Sequence, residues 1–280
     1  MILLMIAFCG VIGSLLAFGI WSLGSVPTEE LISGGAVDMG KRSLLRWGVM
    51  VNHFFMFLVP VFLFGFIFHR GGYIKFLTLD RPLQLRDFFL WGVAILVSYP
   101  LVGYLTILNE RIDFPDFLTS SQDKTFQMLA DILTMESSGE LVMNIVIVGV
   151  LAAIGEELLF RGIIQQKLQK YFSNPHLAVI LAGILFGGIH MQAERILPLS
   201  ILGILLGYSF YYSKCILIPI ILHFLNNSVQ VVSLYSLEEI EVSNLQEAPE
   251  IPVWMLIVSI IGTVGIIQYS KGKAGDENEV

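Results

Sequence analysis

Charge is scarce in this chain. Asp, Glu, Lys and Arg make up 14% of its 280 residues, against about 25% in soluble domains. The charge that is present runs acidic, 16 Lys+Arg against 23 Asp+Glu for a net −7, so there is no basic footprint for nucleic acid. Cysteine is nearly lacking. Cys9 and Cys215 each lie in or beside an apolar run, and two such residues build no disulfide framework. No repeat of fixed period and no low-complexity block interrupts the sequence. No positive residue precedes the first apolar run, and that run is too long for a signal-peptide core, so it reads as a membrane helix and not a cleaved leader. Against these absences stand 55% hydrophobic residues and a mean hydropathy of +0.78. A soluble globule cannot hide that much apolar surface, and a disordered chain does not carry it. The composition is that of a polytopic membrane protein.

Uncharged apolar runs near 20 residues can cross a bilayer as helices. Eight occur, at about 2–24, 47–68, 88–108, 141–160, 177–192, 196–212, 215–235 and 252–270. The fifth and sixth are short and separated only by 192–195. The expected fold is therefore all-α, a bundle of about eight transmembrane helices. With eight crossings both termini share one face. Nine loop cations fall on that face and six, Lys41, Arg42 and Arg46 among them, on the other. This excess places both termini on the cytoplasmic side; the expected membrane is the bacterial cytoplasmic membrane. The loop 238–250 holds five glutamates and no cation, which suits the outer side. Three stretches follow: N-terminal helices and an interfacial segment over 1–135, a core over 136–236, and an acidic loop, last helix and polar tail over 237–280. Within 109–140, Phe126, Leu129, Ala130 and Leu133 recur at i, i+3, i+4 and i+7. That predicts a short amphipathic helix, either lying at the interface or packed on its neighbours. The tail after Lys271 reads as disordered.

A charge in the hydrocarbon costs about 2.5–3.5 kcal/mol, so polar residues inside the runs are the informative ones. In Gly155-Glu156-Glu157-Leu158-Leu159-Phe160-Arg161, two carboxylates interrupt an apolar helix. Glu157 and Arg161 stand four apart with the acid first, the favourable order for an ion pair. Glu156 points about 100° away and is left to face a cavity. The competing reading puts all three at a helix end among headgroups. In Phe186-Gly187-Gly188-Ile189-His190, Phe186 and His190 share a face and the glycines admit a close neighbour. His223 and Asn227, also four apart, converge on one point. For both of these segments, structural hydrogen bonding is the competing reading. His53 reads as a packing residue, His69 and His176 as interfacial.

Register links the segments. Glu156 and His190 are equidistant from Ser173, the centre of the turn-like Tyr171-Phe172-Ser173-Asn174-Pro175. In a hairpin folded there, both lie about 25 Å from the tip. With 165–170 standing in water or headgroups, Glu156 lies about 10–15 Å deep. His223, nine residues past Lys214, reaches a similar depth. A carboxylate, two imidazoles and an amide at one depth, with access to water, suit hydrolysis. Glu156 would take a proton from water attacking a peptide carbonyl. His223 and Asn227 would donate to the oxyanion, and His190 would orient the water or protonate the leaving amine. No Ser or Cys here has a base at helical spacing. Zinc held by Glu156, His190 and His223 is the alternative. The lack of His-Glu-x-x-His, and Asn being a poor ligand, favour a mechanism with no cofactor.

These three segments resemble the CPBP family: the type II CAAX prenyl proteases with their bacteriocin-processing and Abi-like immunity relatives. The family pattern is Glu-Glu-x-x-x-Arg, Phe-x-x-x-His and His-x-x-x-Asn. It stands here as Glu156, Glu157 and Arg161, then Phe186 and His190, then His223 and Asn227. The resemblance covers about 140–235. It implies an intramembrane endopeptidase in an eight-helix bundle, with water activated by Glu156 and His190 and an oxyanion hole from His223 and Asn227. The implied partner is a membrane-embedded or lipidated peptide or protein in the lipid bilayer. Two rivals remain open: a non-catalytic immunity or scaffold protein, and a proton-coupled transporter.

Overall fold

The computed structural model describes residues 1–23, 39–69, 71–115, 122–237 and 250–276. Among these, every long element is helical. In chain order they are α1 (Ile2–Leu23), α2 (Gly40–Phe68), α3 (Leu85–Glu110), α4 (Gln122–Leu133), α5 (Ser138–Tyr171), α6 (Pro175–Ile189), α7 (Ile196–Ser213), α8 (Leu217–Tyr235) and α9 (Val253–Asp276). The all-α membrane fold is as expected. Seven of these helices, counting Ala193–Ser213 for α7, are long and apolar enough to cross a bilayer. The departure from eight is α6. At 15 residues it is about 22 Å long, short of the roughly 30 Å hydrocarbon core. The acidic loop expected on the outer side lies, over 238–249, outside the described residues.

The chain divides into two compact units, and α5 and α8 each pass from one into the other, at Leu159/Phe160 and Leu222/His223.

The first unit holds α1, α2, α4, the start of α5 and the end of α8. α1 packs on α2 through glycine. A Cβ on Gly13 would lie 2.8 Å from Phe55, and one on Gly48 2.1 Å from the Trp21 indole. α2 begins seven residues before the apolar run at 47, because its first turns carry charges with partners. Arg46 is fully buried and donates to Glu140 Oε1 (2.5 Å), Asn144 Oδ1 (3.1 Å), and the carbonyls of Ile132 (3.0 Å) and Thr134 (2.5 Å). Arg42 pairs with Glu136 at 2.7 Å. These two arginines are structural clamps and not solvated loop charges. The clamp fixes the start of α5, where Ser137 caps the helix by accepting from Glu140 N. The amphipathic helix exists as α4. It buries Phe126, Ala130 and Ile132 and packs against α2, which settles its two readings in favour of packing.

In the second unit, α6 and α7 form an antiparallel pair built on small residues. A Cβ on Gly183 would meet the Ile204 backbone at 2.7 Å, and one on Gly187 the Ile196 carbonyl at 2.7 Å. The turn predicted at Ser173 is present. α5 ends at Tyr171, and Asn174 caps α6 by accepting from His176 N, with Pro175 in the first turn. α3 packs on α7 and α9. α9 does not stop at Lys271 but continues through Asp276, with Lys273 paired to Asp87 of α3 at 3.0 Å. That pair explains why a segment read as a disordered tail is helical.

Candidate active site

The backbone of α5 changes form around the two glutamates. Ile145–Leu151 and Phe160–Gln165 are π-helical, and Ala152–Leu159 between them is α-helical. Widened turns of this kind recur at functional sites because they re-aim side chains. Glu156 and Glu157 sit on that short α stretch, 5% and 0% exposed. Placing two carboxylates there requires polar partners. α2 has its own π-helical segment, Phe54–Leu58, directly after His53.

Two side chains from other helices of the first unit, His223 and His53, gather on this stretch. His223 Nδ1 lies 2.9 Å from Glu157 Oε1, a buried carboxylate–imidazole hydrogen bond. Nδ1–H is the donor, so His223 Nε2 is left for other work. That nitrogen lies 4.0 Å from Glu156 Oε2. On the other side of the same carboxylate, His53 Nε2 lies 4.0 Å from Glu156 Oε1. His53 stacks on Phe57 with ring centroids 4.4 Å apart. Glu156 is therefore bracketed by two imidazoles. A separation of 4.0 Å exceeds a direct hydrogen bond.

His53, which the sequence reads as a packing residue, does stack on Phe57 and also stands beside the Glu156 carboxylate. Its partner comes from about 100 residues away, so no spacing rule links them. One local signal existed: Gly155 precedes Glu156, and a Cβ there would lie 3.0 Å from Phe57 Cβ and 3.3 Å from His53 Nε2. The absent side chain makes room for the imidazole.

Asn227 is half-buried one turn beyond His223. Its Nδ2 donates to Val148 O at 2.9 Å, and its Oδ1 accepts from Asn226 Nδ2 at 3.1 Å. One N–H of the Asn227 amide remains beyond these bonds. Asn226, which the sequence did not single out, thus fixes the orientation of Asn227. The Val148 carbonyl belongs to the π-helical segment.

Arg161 and His190 belong to the second unit. Arg161 is 1% exposed, donates to Gly203 O at 2.6 Å and lies over the Phe186 ring at 4.8 Å. One turn along, Gln165 is fully buried and donates to Gly207 O at 2.9 Å. Gln165 therefore does not stand in water or headgroups as expected; the polar surface of α5 begins after it. Two glycines on α7 leave their carbonyls reachable by two donors on α5. His190 is not inside a helix but caps α6. Its Nδ1 lies 2.7 Å from Phe186 O, so the ring donates there. Met191, at φ 53°, turns the chain away.

Zinc can be tested against this donor set. Two ligands on one tetrahedral zinc lie about 3.3 Å apart, whereas each imidazole nitrogen beside Glu156 lies 4.0 Å from its oxygen. Among the described residues no cluster of three or more His, Cys, Asp or Glu has metal-binding geometry. The residues as placed do not fit the ion.

With this geometry in hand, comparison with known proteins gives two matches. Residues 138–229 match the family described as "Type II CAAX prenyl endopeptidase Rce1-like". An "Uncharacterized 24.3 kDa protein" of Escherichia coli is 26% identical over 207 residues, 69% of this chain and 86% of that protein. No solved structure matches the chain.

Proposed function

We infer that this chain, which through residues 138–229 belongs to the Rce1-like type II CAAX endopeptidases, hydrolyses a peptide bond with a water activated by Glu156. Members of that family are endopeptidases, hydrolases by class. The observation that carries the finer reading is the bracketing of the buried Glu156 carboxylate by His53 and His223, each at 4.0 Å.

Water hydrogen-bonded to Glu156 attacks the scissile carbonyl carbon, and its proton passes to the carboxylate. The carbonyl oxygen becomes an oxyanion. The remaining N–H of Asn227 and the Nε2–H of a doubly protonated His223 donate to it. Glu157 supplies the counter-charge for that imidazolium through Nδ1–H. Collapse of the intermediate breaks the C–N bond, and the leaving nitrogen takes its proton from Glu156. Arg161 holds α5 to α7 and is a positioning residue. No metal takes part in this scheme. The substrate is a membrane-embedded or lipidated peptide, and both termini face the cytoplasm of a bacterial membrane.

The test compares peptides released by wild-type and Glu156→Gln protein in membranes. The amide keeps size and shape, so the variant inserts and folds. Release of a specific product is expected to fall by about 10²–10⁴. Undiminished release by that variant removes Glu156 as the base. An identical peptide inventory with and without the wild-type protein leaves a non-catalytic scaffold. Wild-type activity is expected to survive strong chelation.

A further inference from the structure

The second unit holds a polar cavity of about 250 Å³, lined by Arg81, Asp87, Tyr212, Lys214, Ser270 and Lys273 among others. It lies where three helices of membrane-spanning length share an end: the start of α3, the end of α7 and the end of α9. That is the level of the bilayer headgroups. Three cations face one carboxylate, and the carboxylate of Asp87 is already bonded to Lys273. The remaining lining is donor-rich. The Ser270 hydroxyl is buried, the residue being 4% exposed, and neither it nor the buried Tyr212 hydroxyl has a hydrogen-bond partner. Gln84, the residue before α3, makes no side-chain cap bond to the first-turn N–H groups. Those amides add positive potential at the cavity rim.

Unused hydroxyls, an uncapped helix start and a cationic excess are complementary to a small anion rich in acceptor oxygens. The volume is below the roughly 300–1,000 Å³ of drug-sized sites, which suits a phosphate group and the first atoms of its ester. We propose that this cavity binds the phosphate group of an anionic membrane lipid, with Arg81, Lys214 and Lys273 as its cations and Ser270 and Tyr212 as neutral donors.

Lys214 provides a clean test. It has a left-handed backbone, φ 55°, at the end of α7. Asparagine tolerates that conformation and carries no charge, so Lys214→Asn removes a cation while leaving the fold intact. Purified full-length protein is titrated with phosphatidylglycerol, phosphatidylcholine and inorganic phosphate. Bound lipid is read by native mass spectrometry and melting temperature in parallel. Phosphatidylglycerol is expected to bind in preference to phosphatidylcholine. Lys214→Asn is expected to weaken it about fivefold, and an added Arg81→Gln by a similar factor again, with unchanged lipid-free melting. If inorganic phosphate stabilises the wild type and not Lys214→Asn, and phosphatidylglycerol adds nothing, the site stands with a soluble occupant and the lipid assignment falls. Equal affinities for wild type and the double variant, or no preference between the lipids, overturn the site itself.

Discussion

Glu157 has the tighter of the two carboxylate environments. It is fully buried and bonded to His223 at 2.9 Å, while Glu156 faces its imidazoles across wider gaps. The two acids therefore have different work. Glu157→Gln keeps the shape and the acceptor oxygen but removes the charge behind His223. Peptide release is expected to fall by about 10²–10⁴, as when a triad acid is neutralised, with membrane insertion unchanged by fractionation. His53 makes a second test. His53→Phe preserves the stack on Phe57 and deletes the ring nitrogens, so release is expected to fall at least tenfold without a change in melting temperature. Release unaffected by that substitution leaves His53 a packing residue after all. At this scale the sequence revealed the residues whose charge or polarity contradicts an apolar run: Glu156, Glu157, Arg161, His190 and His223. It hid those defined by distant partners. His53 meets its carboxylate only through tertiary structure, and Gln165 looks like surface until Gly207 supplies its acceptor.

Helices were legible as elements because hydrophobic length and turn signals are local; their ends were not, because charged ends are settled by partners elsewhere. Arg46 is the clearest instance. Its guanidinium reaches four acceptors, three of them on 132–140 and the fourth on Asn144. Arg46→Met leaves the buried Glu140 to the more distant Arg42, at 3.6 Å, and the Glu136 N–H, and a loss of about 3 kcal/mol is expected, read as a lowered midpoint in detergent-titrated unfolding. The double replacement with Glu140→Met is expected to recover part of it. The α6–α7 pair is equally sharp. A Cβ on Gly187 would lie 2.3 Å from Ser200 Oγ and 2.7 Å from the Ile196 carbonyl, which is backbone and cannot rotate away. Gly187→Val is expected to cost at least about 1–3 kcal/mol, whereas substitution at Gly188, which has open space, is tolerated.

For the whole molecule, composition fixed the membrane class at once, since few charges and many apolar residues leave no other solvent. The crossing number is harder to read, because α6 is too short to span alone. Its parity decides where the ends lie: eight passes return the chain to its starting face, seven do not. Cys9 and Cys215 are both buried, 3% and 1% exposed, so the native chain offers little background to thiol labelling. New cysteines near Met1 and Lys271 are expected to label from the same, cytoplasmic, face with an impermeant maleimide. Labelling from opposite faces makes the number of crossings odd, with α7 crossing and α6 not.

The π-helical segment Ile145–Leu151 carries a consequence for chain length. It stands between the arginine clamp at Glu140 and Asn144 and the glutamates at 156 and 157. Taking out one residue there can return the backbone to an ordinary α-helix at little cost in hydrogen bonds. Because a π turn holds one residue more than an α turn, the helix beyond it keeps its face relative to the clamp, and the loss falls on the segment itself, whose Val148 carbonyl accepts from Asn227. A deletion mutant that folds well, keeps both acids beside their imidazoles and loses activity through a misplaced Asn227 amide is the expected result, so spacing in this stretch is constrained along with residue identity.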